Sequence, residues 1–248
     1  MMWVMFFQKQ MSKINNYIII GGTSGIGLAT ADYLNDLGNK VVVASRHIHK
    51  GIKHDYVTVD VTSTKSVRTF SDEINNRLKT INGLVYSVGE TTSKKPINEF
   101  DEDIWRKIID VNVTGLLRLL KVFYPLLELC SSKVVVVNSI ASKKYSEYSG
   151  FEYTASKCAL RGIVRQLAIE WGHKGIMINS IFPSMTNTPM LAKNLKENEI
   201  KNISNELPLN ELASTLDIAR AIEFLLNPEN NYMTGTGINL SGGLFLDG

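Results

Sequence analysis

Cysteine is scarce in this chain, with two among 248 residues, and proline is scarce too, with six. Cys130 and Cys158 stand far apart in apolar helical context, which excludes a disulfide framework and a cysteine metal site. They read as buried thiols kept reduced in a cytosol. No metal site is expected. No apolar run approaches the ~20 residues that span a bilayer. The N-terminal Met1-Met2-Trp3-Val4-Met5-Phe6-Phe7 is too short for that and lacks the basic start and cleavage site of a signal peptide. A block of one charge sign is missing as well. The net charge is +3 and the lysines are scattered, unlike the clustered basic surface of a nucleic-acid binder. Internal repeats and low-complexity tracts are absent.

What remains is a chain with 44% hydrophobic residues, enough for one large core. The reading is a cytoplasmic protein with no membrane and no nucleic-acid partner. Residues 1–12 form an N-terminal extension, because Met11-Ser12-Lys13 stands just ahead of the first strand candidate. Residues 13–248 form a single domain.

Short Val- and Ile-rich runs alternate with amphipathic stretches from Tyr17 onward. Strands are predicted at Tyr17–Ile20, Lys40–Ala44, Tyr56–Val59, Leu84–Val88, Lys133–Asn138, Ile176–Phe182 and Gly237–Leu240. Helices are predicted at 25–37, 64–79, 101–128, 153–173, 189–203 and 215–227. Strands apolar on both faces are covered by helices on both faces. The fold class is therefore α/β: a doubly wound Rossmann fold with a seven-stranded parallel sheet. The polar segment 186–209 is expected to cover a pocket.

The first strand runs into Gly21-Gly22-Thr23-Ser24-Gly25-Ile26-Gly27, where a helix begins. Glycines there let the backbone approach a pyrophosphate, and a helix N-terminus supplies N–H donors. The second strand ends in Ala44-Ser45-Arg46 and carries no acidic residue for an adenosine ribose. Arg46 and Ser45 suit a 2′-phosphate instead, which favours NADP(H) over NAD(H). Asp60, after the third strand, is placed either to accept from the adenine amino group or to cap the next helix.

Tyr153 and Lys157 lie four apart on a predicted helix, hence on one face with Cβ atoms roughly 5–6 Å apart. A lysine in that position favours the phenolate. Lowering a phenol from about 10 to near 7 needs roughly 4 kcal/mol.

With these motifs in order, the chain resembles the short-chain dehydrogenase/reductases of about 250 residues. The matching residues are Gly25-Ile26-Gly27, Asp60, Asn112-Val113-Thr114-Gly115, Ser139, Tyr153-x3-Lys157, Pro183-Ser184…Thr188-Pro189 and Ser241-Gly242-Gly243. The resemblance implies that Tyr153 is the general acid/base and that Ser139 polarises the substrate oxygen. Lys157 would hold the nicotinamide ribose and lower the tyrosine pKa. Asn112, at a helix kink, would hold a water leading to Lys157. It further implies coenzyme contacts at Gly21, Thr23, Ser24, Gly25, Ile26, Gly27, Ser45, Arg46, Asp60, Val61, Gly89, Pro183, Thr186 and Thr188, besides Tyr153 and Lys157. The expected activity is NADP(H)-dependent hydride transfer with a carbonyl or secondary alcohol. A dinucleotide-binding sensor or scaffold is the rival.

Four departures stand out. Tyr86-Ser87-Val88-Gly89 replaces the family's Asn-Asn-Ala-Gly, so the hydrogen bonds of the first Asn must be made by another group. Ile20 replaces a common threonine, and Ser184 replaces a glycine after Pro183. Ser139 and Tyr153 are 14 apart, one more than expected. Lys94, Lys95, Lys143, Lys144, Tyr145 and Tyr148 are candidates to meet a polar or anionic substrate. Helices 101–128 and 153–173, apolar on more than one face, are expected to pair between subunits of a homodimer or homotetramer.

Overall fold

The computed structural model describes residues 14–47 and 51–246; the extension 1–12 lies outside the described residues. Seven strands form one parallel sheet in the order β3-β2-β1-β4-β5-β6-β7. They are β1 (Asn16–Ile20), β2 (Lys40–Ser45), β3 (Asp55–Thr58), β4 (Gly83–Tyr86), β5 (Lys133–Val137), β6 (Met177–Pro183) and β7 (Gly237–Leu240). Register is set by apolar side chains on both faces. In β5, Val134 and Val136 enter one core cluster while Val135 and Val137 enter the other. A slip of one residue would exchange the two sets between cores.

Helices α1 (Gly25–Asp36), α2 (Thr64–Arg77), α3 (Glu102–Ile109), α4 (Gly115–Cys130), α5 (Phe151–Trp171), α6 (Pro189–Asn194), α7 (Glu197–Glu206) and α8 (Thr215–Leu226) complete the fold. On one face Phe70 and Ile74 of α2, Leu116 and Phe123 of α4, and Leu160 and Val164 of α5 cover the sheet. On the other, Ala31 and Leu34 of α1 pack with Ile218, Ile222 and Leu225 of α8. Local chemistry starts the helices. Ser63 caps α2 by accepting from the Ser66 N–H, and Ser214 with Asp217 forms a capping box on α8, each cap worth about 1 kcal/mol.

Two expected helices are interrupted. The stretch 101–128 is not continuous, because a π turn at Asp110–Thr114 joins α3 to α4. The stretch 189–203 splits at Leu195 and Lys196, whose ψ angles of 146° and 157° are extended. The covering segment still ends firmly, since Ile203 and Leu207 are buried. Among the described residues, no helix is long and apolar enough to cross a membrane.

Candidate active site

A crevice of about 400 Å³ opens along the C-terminal ends of the strands, on both sides of β1, where the strand order reverses direction. Its floor begins at the glycine turn. Gly21 has φ +83°, and a Cβ on Gly27 would lie 2.2 Å from the Gly21 carbonyl oxygen. Only glycine therefore lets α1 close onto the turn. Ser24 is the N-cap of α1, but its side chain makes no cap bond. Gly25 and Ile26 line the crevice beside it, so the positive end of α1 is open to a phosphate.

Ser45, Arg46, Asp60 and Val61 line the other end, as does His47. The Asp60 carboxyl is held below its usual range, first by the Thr62 hydroxyl, then by the Thr62 N–H and the Arg46 and Arg118 charges, against opposing burial. Asp60 Oδ1 accepts from Thr62 N at 3.0 Å and Oγ1 at 2.7 Å; the cap of α2 is Ser63, not Asp60. Ser45 differs from expectation. Its hydroxyl donates to the His47 carbonyl at 2.8 Å and accepts from Thr23, so it is already engaged within the chain.

At the reacting end, Tyr153 and Lys157 share the first turns of α5. Lys157 is buried, and its Nζ donates to the Val137 carbonyl at 3.0 Å and lies 5.5 Å from the Tyr153 ring centre. Ser139 lies near enough to the phenol to draw its pKa down, and its Oγ accepts from Ala141 N at 3.1 Å, capping a 3₁₀ turn. Burial draws Lys157 down to about 8. Burial also raises Tyr153 above its ordinary value, with Ser139 pulling the other way. In the chain by itself, the expected lowering of the phenol by Lys157 is therefore reversed. Desolvation penalises both charges, and the ammonium is turned to a backbone carbonyl.

Asn112 sits in the π turn, fully buried. Its amide accepts from Glu90 N at 2.7 Å and donates to Glu90 O and Ser156 Oγ, both at 2.9 Å. Both amide hydrogens are engaged, so the side chain clamps the β4–α3 loop to α5. The group that replaces the family's first Asn is Tyr86 itself. Its hydroxyl donates to the Val111 carbonyl at 2.7 Å, and a Cβ on Gly115 would meet that hydroxyl at 2.8 Å. Gly89 keeps the backbone close, since a Cβ there would be 3.6 Å from Lys157 Nζ.

Pro183, Thr186 and Thr188 line the crevice as expected, with Ser184, Met185, Pro189, Met190, Leu191 and Leu195. Thr188 caps α6 through Leu191 N, and its methyl group lies against Gly25, so the covering segment rests on the phosphate turn. Asn138 was missed as a site residue. It lines the crevice, its Oδ1 accepts from Ser139 N at 2.9 Å, and its buried Nδ2 has no partner. An amide directly after a run of four valines was the signal. Of the expected pocket cations and phenols, Tyr148 lines the crevice, whereas Lys94, Lys95, Lys143, Lys144 and Tyr145 do not. Lys143 Nζ lies 4.6 Å from the Phe182 ring centre, and Lys144 pairs with Glu147 at 3.8 Å.

An open helix end, a glycine cradle, an arginine without an acidic neighbour on β2 and an unpartnered donor beside Ser139 all fit a phosphorylated dinucleotide. The family model described as enoyl-(acyl carrier protein) reductase matches residues 21–245. The chain belongs to the short-chain dehydrogenase/reductase family. Among its relatives, 3-oxoacyl-[acyl-carrier-protein] reductase FabG of Buchnera aphidicola subsp. Baizongia pistaciae is 24% identical over 239 residues, 92% of this chain and 96% of its own. The ligand-free aldohexose dehydrogenase of Thermoplasma acidophilum superposes with a TM-score of 0.88 at 27% identity, covering 94% of both chains. ElxO with NADP bound gives 0.86 at 27% identity, covering 93% of this chain and 98% of its own. These two structures thus share its fold over more than nine-tenths of the chain.

Proposed function

We propose that this chain is an NADP(H)-dependent oxidoreductase that moves a hydride between nicotinamide and a carbonyl or secondary alcohol. One observation carries the reading: a single crevice joins the glycine turn and Arg46 to the Ser139–Tyr153–Lys157 set. When bound, NADP(H) supplies or takes up the hydride. The chain's own residues do the rest. Ser139 donates to the reactant oxygen, and Tyr153 gives it a proton in reduction and removes one in oxidation. Lys157 supports the ionised phenol once a ligand shields the crevice. Gly21, Gly25, Ile26 and Gly27 hold the pyrophosphate, with Thr23 and Ser24 beside it. Val61 and Asp60 flank the adenine, Arg46 pairs the 2′-phosphate, and Gly89, Pro183, Thr186 and Thr188 border the nicotinamide. The NADP in ElxO supports the coenzyme choice. Both cysteines are free, Cys130 half-buried and Cys158 exposed where burial was expected, and free thiols support a cytoplasmic setting. The sensor reading leaned on Tyr86, and the Tyr86–Val111 bond weakens it by giving that residue a structural role.

The test is loss of NADPH absorbance across a panel of ketones, aldehydes and keto-sugars. Tyr153→Phe should lower kcat by roughly 10²–10⁴-fold; equal rates would defeat the mechanism. In coenzyme titrations, Arg46→Ala should weaken NADPH by about 1.5–3 kcal/mol and leave NADH nearly unchanged. A wild type that prefers NADH would sink the coenzyme assignment.

A further inference from the structure

We propose that the reactant is an uncharged carbonyl compound with an apolar flank, taken in preference to a carboxylate of the same shape. This rests on the oxidoreductase reading above and narrows it. One wall of the reacting end is two loops zipped together. Ser93 bridges Ser149, Gly150 N donates to Thr92 O at 3.0 Å, and Lys94 N donates to Tyr148 O at 3.3 Å. The Thr92 hydroxyl is tied to the buried Glu152 carboxylate. This pairing presents Thr91, Thr92, Tyr148 and Ser149 to the crevice and leaves Lys94 and Lys95 exposed outside it.

The opposite wall is the covering segment, which contributes Met185, Met190, Leu191 and Leu195. Among the described residues, Lys157 is the one charged side chain lining this end, and it is turned to the Val137 carbonyl. The rim is acidic. Tyr148 is raised above its ordinary pKa by burial first, and then by the carboxylates of Glu147, Glu206 and Glu199. An incoming carboxylate would lose water against methionine and leucine, and the one ammonium lining this end already donates to a backbone carbonyl. That is costly. A neutral ketone meets hydroxyls at one wall and an apolar surface at the other, as small-molecule sites commonly offer.

The experiment uses the full chain, NADPH and matched pairs: 4-methylcyclohexanone against 4-oxocyclohexanecarboxylate, and 4-(4-methylphenyl)butan-2-one against its 4-carboxyphenyl counterpart. The neutral member of each pair should have at least tenfold higher kcat/KM, and Leu195→Arg should raise kcat/KM for the carboxylates and narrow the gap. Binding of the same compounds to the Tyr153→Phe·NADPH complex is read in parallel and should show the same preference. Carboxylates that turn over or bind as well as their neutral partners overturn the proposal. Neutral preference in binding, with no NADPH oxidation by wild type on these pairs or on the wider panel, supports the pocket chemistry and defeats the oxidoreductase reading instead.

Discussion

Taken alone, Lys157 is the most costly residue of the site, a buried amine that donates to one backbone carbonyl. Its folded pKa of about 8 lies below the unfolded 10.5. Between those values the unfolded chain binds more protons, so stability rises with pH across that window. The full penalty is present below pH 8. Above about 10 the sign reverses, because Tyr153 and Tyr17, raised in the fold, hold protons that the unfolded chain releases. Wild type should therefore gain urea resistance from pH 7.5 to 9.5, on the order of 2–3 kcal/mol at most. Lys157→Met should be more stable than wild type at pH 7.5 and lose most of that rise. Denaturation midpoints at the two pH values decide it, and identical slopes in the two proteins would refute it. At this scale the Tyr153–Lys157 pairing was legible because four residues on a helix fix the geometry. The Asn112–Glu90 clamp was not, since its partners are 22 residues apart and meet only when the π turn packs against α5.

Among the elements, the π turn at Asp110–Thr114 shows how a departure from family pattern is absorbed. An uninterrupted helix would engage the Val111 carbonyl in its own ladder; here the Tyr86 hydroxyl donates to it. Gly115 leaves the space for that hydroxyl, with Val61 on the same side at 2.8 Å from a would-be Cβ. Tyr86→Phe should cost about 1–3 kcal/mol, the cost of an unpaired buried acceptor. Gly115→Ala should cost a similar overpacking penalty of about 1–3 kcal/mol. Because the added methyl meets the group that Phe removes, the double variant should lose less than the sum. Additive losses in thermal denaturation would show that the two residues do not share this space. The strands were readable to within one or two residues, since Val and Ile on both faces admit few alternatives. Of the two helix interruptions, the one at Asn112 was read from the family resemblance, which put that residue at a kink, and not from local propensity; the one at Leu195 was not readable. Asp110–Thr114 contains no proline or internal glycine, and the split at Leu195 comes from docking of the cover, not from local propensity.

Across the whole molecule, much of the apolar pattern in α4 and α5 belongs to the chain's own core. Leu116, Leu119, Phe123 and Leu127, with Leu160, Val164 and Ala168, are buried without any partner. What stays outside is narrower. Leu117 is 42% exposed and Leu129 75% on α4, and Ile169 is 83% exposed on α5. On α5 the nearby Gly162 has open space around its would-be Cβ, so another helix can approach closely there. Pairing of these helices between copies would cover the three side chains, and a homodimer or homotetramer remains the assembly we expect. Leu117→Glu combined with Ile169→Lys replaces exposed residues, so the fold of one subunit should change by about 0.5 kcal/mol or less per site. Light scattering at micromolar concentration should then show a multimeric wild type and a smaller variant with unchanged circular dichroism. A monomeric wild type, or a variant of the same mass, would place any contact elsewhere and return these two helices to a purely internal role.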